Sequence, residues 1–181
     1  MDETTLIIKA KEGDLDAFRQ ILEMYEQKIY NLSYYFTSNG QDASDLSQDT
    51  WVKALKQLKH FRLDCSLYTW LSKITRNTYI DVYRKKNRGL PVIPLIEEID
   101  SKTDNFDPVE FLTNKYLNEE IHKALQQIPE DYKSAVILID LQHMSYEEVS
   151  KIENVPIGTI RSRLSRGRDM IRKIVKLKGN Y

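Results

Sequence analysis

Near the C-terminus Arg161, Arg163, Arg166, Arg168, Arg172, Lys173, Lys176 and Lys178 face only Asp169, a density of cations suited to phosphate. With Ile160, Leu164 and Ile171 on the buried side of a helix, Ser162, Ser165, Arg166 and Asp169 project from the opposite side. Arg161 then lies on the flank, while Arg163, Arg168, Arg172 and Lys173 widen the positive surface. Arginine can donate two hydrogen bonds to guanine, and serine is small enough to permit close approach to a base edge. A second group is Arg76, Tyr79, Ile80 and Tyr83, which face outward when Leu67, Trp70, Leu71, Ile74 and Thr78 face inward, with Asn77 on the flank. Exposed aromatics beside arginine can stack on the bases of a separated strand. Contact with another part of the chain explains Tyr79, Ile80 and Tyr83 equally well. A third group, Asp42 to Asp49, offers acidic and amide side chains to a basic partner, or to solvent.

The elements that must hold these groups are helical. Phe18, Ile21, Leu22, Tyr25, Ile29, Leu32 and Phe36 recur at three- and four-residue steps, which predicts one long amphipathic helix. Asn39-Gly40 breaks it, Asp42 is a candidate cap, and a second stripe follows through Ala43, Leu46, Thr50, Trp51, Ala54, Leu55 and Leu58. After a short loop, Phe61 to Cys65, Ser66 is placed to cap a third helix. Prolines 91 and 94 end this domain, and the acidic stretch to about Pro108 reads as a linker. Periodicity resumes with Leu117, Ile121, Ala124, Leu125 and Ile128, stops at Pro129, and returns with Ala135, Val136 and Ile139. Ser145-Tyr146-Glu147-Glu148 is a capping box before a short helix. Glu153-Asn154-Val155 is a tight turn with Asn154 suited to a left-handed conformation, and Pro156 opens the basic helix. This is the grammar of a helix-turn-helix, whose second helix enters the major groove.

The expected fold is all-α, with two small helical domains: 1–90, an acidic linker 91–114, and 115–181 carrying the helix-turn-helix. The net formal charge of zero conceals two basic regions, the second being Arg84, Lys85, Lys86 and Arg88, and an acidic connector. A single cysteine, Cys65, excludes an internal disulfide, and His60, His122 and His143 lack ligand-like spacing, so neither metal nor cofactor is expected. No nucleophile, base and orienting group form a recognisable set, which argues against an enzyme. The N-terminus lacks the apolar segment of a secretory signal, and no stretch suits a membrane span, so a cytoplasmic protein is expected.

Three segments resemble the extracytoplasmic-function (ECF) sigma factors of bacterial RNA polymerase: Asp42 to Ala54, Tyr68 to Asn77 continuing to Lys86, and Met144 to Val149 continuing through Pro156 to Arg168. The resemblance implies an alternative sigma factor that directs promoter-specific initiation and helps melt the promoter. By that likeness Asp45, Gln48 and Asp49 would dock on the clamp helices of the polymerase's largest subunit. The C-terminal domain would meet the flap of the second-largest. Phe61, Ser66, Thr69, Trp70, Arg76, Asn77, Tyr79, Ile80, Tyr83 and Arg84 would serve the minus-ten element, where Phe61 to Thr69 matches a loop that captures a flipped base. Ser145, Tyr146, Thr159, Arg161, Ser162, Arg163, Ser165, Arg166 and Arg168 would serve the minus-thirty-five element. The linker would thread toward the RNA exit path, and an anti-sigma partner is common in the family. Leu63 and Leu67 stand where glycine and phenylalanine are expected in many relatives, so base preference does not transfer, and Asp49 replaces a more usual glutamate. Two other readings compete: a stand-alone regulator that binds duplex DNA without polymerase, and a module whose basic helix binds an acidic protein.

Overall fold

The computed structural model describes residues 2–83 and 115–178, with side chains described for 2–81 and 120–175. Arg84, the basic residues after it and the acidic linker at 91–114 lie outside the described residues, as does the side chain of Tyr83. The chain divides into two compact units, Met1–Lys86 and Asn87–Tyr181. Every regular element among the described residues is helical.

In the first unit, α1 (Glu3–Lys11) is a short helix that the apolar pattern did not announce. Asp2 caps it by accepting from the Thr5 amide, and Leu6, Ile7 and Ala10 are buried. It is tied down from outside: Lys11 Nζ donates to the Phe61 carbonyl at 2.8 Å, and the Tyr25 hydroxyl meets Glu3 at 2.5 Å. Helix α2 (Leu15–Thr37) is the expected long helix, ending at Ser38 in a left-handed conformation, φ 52°. Helix α3 (Gly40–Gln57) begins two residues before the expected cap. Asn39, not Asp42, accepts from the amides of Gln41 and Asp42, because Asp42 is already helical. Leu55, assigned to the buried stripe by its spacing, is 46% exposed, since the helix turns that flank away from α2 and α4. A 3₁₀ turn (Leu58–His60) leads into the loop before α4 (Leu67–Thr78), which Ser66 caps through the Thr69 amide. The helix widens into a π-helical turn at Tyr79–Tyr83. Its core joins Phe18 and Trp51 edge to face at 6.1 Å with Ile21, Ile29, Leu58, Phe61, Leu71 and Ile74.

The second unit contains α5 (Lys115–Leu125), α6 (Glu130–Val136), a π-helical turn (Ile137–Leu141), α7 (Tyr146–Glu153) and α8 (Ile157–Lys178). The π turn is closed by the Gln142 amide donating to the Ile137 carbonyl at 3.0 Å, a step of five residues. The capping box is present: Ser145 accepts from the Glu148 amide, and Glu148 accepts from the Ser145 amide at 2.9 Å. Asn154 adopts the left-handed conformation, φ 56°, and ends α7. Ile160, Leu164, Ile171 and Ile174 are the buried face of α8. Gly167 lies on that face with no room to spare: a Cβ there would stand 2.8 Å from Val136 Cγ2 and 3.0 Å from the Tyr132 carbonyl oxygen. The absent side chain is what lets α8 lie directly on α6.

Candidate nucleic-acid interface

The second helix of the helix-turn-helix separates its cations into two sets. Arg161, Ser162, Ser165 and Arg166 are exposed, as the helical wheel placed them. Arg161 lies over the Tyr146 ring, 5.6 Å from its centroid, so the first turn of α7 supports the first turn of α8. Ser162 Oγ donates to the Thr159 carbonyl at 2.9 Å, and Thr159 itself is half-buried. Ser145 is exposed but engaged in its cap.

Arg163 and Arg168 do not widen the positive surface, which corrects the charge reading above. Arg163 reaches Glu153 at 2.5 Å and Asp131 at 2.8 Å. Arg168 forms a two-pronged bond with Asp140, Nε to Oδ2 at 2.9 Å and Nη2 to Oδ1 at 2.6 Å. Those hydrogen bonds to Asp140 hold the Arg168 guanidinium still more firmly in its charged form, against the opposing effect of burial. Arg172 likewise pairs with Asp169 at 2.9 Å. The positive charge of these three arginines is largely met inside the fold. Of their four acidic partners, Asp131 and Asp140 were missed because they lie about thirty residues away, beyond any local pattern, and Glu153 because it reads only as part of a turn.

In the first unit, α3 presents Asp45, Gln48 and Asp49 as an exposed row. The same flank continues into Val52 and Leu55, exposed at 52% and 46%, a patch of which sequence reasoning assigned only Leu55, to the core. The outward face assigned to α4 is corrected in two places. Tyr79 is 1% exposed and stacks on Phe36 with centroids 5.0 Å apart, so it is an interior anchor. Arg76 is also buried, at 9%. The cause is that α4 buries a wider arc than its apolar stripe, one that already takes in Thr69, Ser72 and Arg76 and leads on to Tyr79, which packs on Phe36 of α2. Asn77 remains exposed and Ile80 half-buried. Of the loop residues, Phe61 is buried against Trp70 at 5.0 Å and Thr69 is buried beside Ser66, with Oγ to Oγ1 at 2.8 Å. Ser66 is exposed and Trp70 half-buried.

Leu63 holds a left-handed backbone, φ 59°, and its side chain is 45% exposed. A branched residue there carries strain of about 1–2 kcal/mol, more than the roughly 0.5–1 kcal/mol by which glycine's added chain entropy would offset its removal. Leu63→Gly is therefore expected to stabilise the first unit by about 0.5–1 kcal/mol in urea unfolding. Unchanged or lowered stability would mean that the strain is relieved elsewhere.

Known proteins carry the same two blocks. Residues 21–89 match the Sigma-70 region 2 family and residues 118–171 match Sigma-70, region 4. The ECF RNA polymerase sigma factor SigW of Bacillus subtilis is 30% identical over 176 residues, covering 92% of this chain and 93% of that protein. The chain belongs to the ECF sigma factors. The RNA polymerase sigma-H factor of Pseudomonas aeruginosa is also 30% identical, over 94% of this chain and 92% of its own. Among solved structures, sigma factor RpoE in complex with the anti-sigma factor NepR from Bartonella quintana aligns with a TM-score of 0.66 at 28% identity, covering 91% of this chain and 98% of its own. CnrH, solved with the cytosolic domain of CnrY, shares the fold with a TM-score of 0.70 at 19% identity, covering 96% of each chain. This sigma factor thus has most of α2, with α3 and α4, within its region 2 and the exposed row of α8 within its region 4. It is a DNA-binding regulator that directs transcription initiation with RNA polymerase, which disfavours the stand-alone reading. None of its described helices is long and apolar enough to cross a membrane.

Proposed function

We propose that this alternative sigma factor divides promoter recognition between its two units, with residues 1–90 docking on core polymerase and opening the minus-ten element, and 115–181 reading the minus-thirty-five element. The observation that carries the reading is the row Arg161, Ser162, Ser165 and Arg166, the exposed polar face of a recognition helix whose other described arginines are engaged internally. Two exposed arginines five residues apart can address nearby base pairs, while the serines allow the helix to approach. Asp45, Gln48 and Asp49 form the polymerase contact, and Asn77 with Ile80 and the loop from Arg62 to Ser66 form the single-strand face. The solved complex of sigma factor RpoE with the anti-sigma factor NepR supports an anti-sigma partner for this chain as well. It acts in the cytoplasm, where polymerase is, and contributes binding energy rather than catalysis.

Transcription in vitro from whole genomic DNA with core polymerase and this chain tests the proposal. A stable complex and transcripts from a defined subset of promoters are the expected results, and failure to associate with core at low salt would overturn it. On promoters found this way, Arg161→Ala or Arg166→Ala is expected to lower initiation about tenfold, as for loss of one base contact of about 1–3 kcal/mol, with core association intact. Asp45→Ala with Gln48→Ala is expected to show the reverse pattern, impaired core association with upstream duplex binding retained.

A further inference from the structure

Helix α8 is gripped on both flanks of its buried stripe, and both grips are arginines facing inward. At 100° per residue, Ile160, Leu164, Gly167 and Ile171 define the buried side, while Arg163 and Arg168 fall about 140° apart, one on either side of it. The exposed row of Arg161, Ser162, Ser165 and Arg166 occupies the opposite arc. Arg163 joins three helices, because Glu153 ends α7 and Asp131 stands in the first turn of α6. Glu153 has no side-chain exposure and Arg163 only 19%, so water does little to screen that pair. Arg168 reaches the π-helical turn after α6 through a planar, two-pronged bond, and the Asp140 side chain is 7% exposed. A planar fork bonded at two atoms fixes direction as well as distance. An apolar stripe resists lifting of a helix but tolerates rolling. Two polar braces on opposite flanks resist rolling in both senses.

We infer that Arg163 and Arg168 are positioning residues for promoter reading: through Glu153, Asp131 and Asp140 they set the roll of α8, and they do not act as phosphate ligands. The inference rests on the reading of α8 as the minus-thirty-five helix. A phosphate ligand must leave its partner or share it, and both of these guanidinium groups already have carboxylates at hydrogen-bond distance. A small roll carries the tips of Arg161 and Arg166 off their base edges without unfolding anything, so the signature of the braces is discrimination between sequences.

The acids separate the two roles, because neutralising them frees the arginines without removing any positive charge. Holoenzyme assembled from core and the full chain would be titrated, over a range of salt, with a promoter duplex identified by genomic transcription. A second duplex carries the same upstream element in shuffled order. Glu153→Gln, Asp140→Asn, Arg163→Met and Arg168→Met are compared at a temperature where each has the wild-type helical signal. The expected result is a loss of about three- to tenfold in the ratio of affinities for the two duplexes, in acid and arginine variants alike. The slope of log affinity against log salt should stay at its wild-type value. A merely structural role would lower the melting temperature and leave that ratio unmoved, which would overturn the inference. So would arginine variants that weaken both duplexes equally with a slope smaller by about 0.9, the mark of one lost phosphate contact. Should one variant fail to fold, the other flank answers the question by itself, since the two braces share no acid. Wild-type holoenzyme that ignores the shuffling would instead remove the minus-thirty-five reading, and the inference with it.

Discussion

Replacing Tyr79 with alanine is expected to remove about 3–5 kcal/mol from the stability of the first unit, enough to leave it partly unfolded at moderate temperature. Tyr79 is among the largest fully buried side chains, and its ring lies on Phe36 at 5.0 Å. Truncation would delete that contact and leave a ring-sized hole between α2 and the end of α4, which close packing cannot fill without moving backbone. Tyr79→Phe keeps the ring and should cost far less, about 1 kcal/mol or below for the lost hydroxyl interaction. Urea unfolding of the two variants checks this. Were Tyr79 a stacking platform for single-stranded DNA, alanine would leave the unfolding midpoint unchanged and impair only strand separation.

The second large effect concerns Lys133, a cation with 1% side-chain exposure in α6. Its Nζ lies 2.8 Å from Gln126 Oε1 and 4.0 Å from Glu130. Burial pushes its pKa down from 10.5 to about 8, with the nearby Glu130 carboxylate opposing only part of that shift. The folded unit therefore binds its proton less tightly than the unfolded chain does. Above pH 10.5 both states are deprotonated and no penalty remains; as the pH falls toward about 8, folding increasingly opposes a proton that the unfolded chain takes up. The penalty is complete below about pH 8 and amounts to roughly 3 kcal/mol, an upper figure. Relative to a Lys133→Met variant, wild-type stability is expected to rise between about pH 8 and 10.5 and to be level below that window. Parallel stability curves for the two proteins across that range would show that water or the carboxylate stabilises the charge better than its burial implies.

The contrast between these two residues and the helix-turn-helix shows what kind of information a sequence displays. Ser145 and Glu148 cap each other across three residues, and Asn154 turns the chain by its own conformational preference, so both could be read from neighbours alone. Helix α2 was equally legible, because its stripe recurs over many turns. The same logic failed where the deciding partner is distant. Phe36 lies more than forty residues from Tyr79, Asp131 lies 32 from Arg163 and Asp140 lies 28 from Arg168. A basic helix looks uniformly basic until those partners are known. Helix α1 was missed for another reason: nine residues offer too few turns for a period to stand out, and part of what holds it, the tether from Lys11 to Phe61, is made with a distant residue. The left-handed backbone at Leu63 has no signature in a leucine. Only the glycine that many relatives carry there was noted, and nothing about the backbone was drawn from it.

Gly167 gives the upstream half of this molecule a particular evolutionary freedom. Because the spacing of α8 against α6 is set there by main-chain and methyl contact, that contact depends on none of the four side chains turned outward, of which only Arg161 leans on a neighbouring helix. If the proposed reading row sets promoter preference, that preference can drift at 161, 162, 165 and 166 after gene duplication while the scaffold beneath stays under unchanged selection. Two descendants could come to serve separate sets of genes without either passing through a poorly folded ancestor.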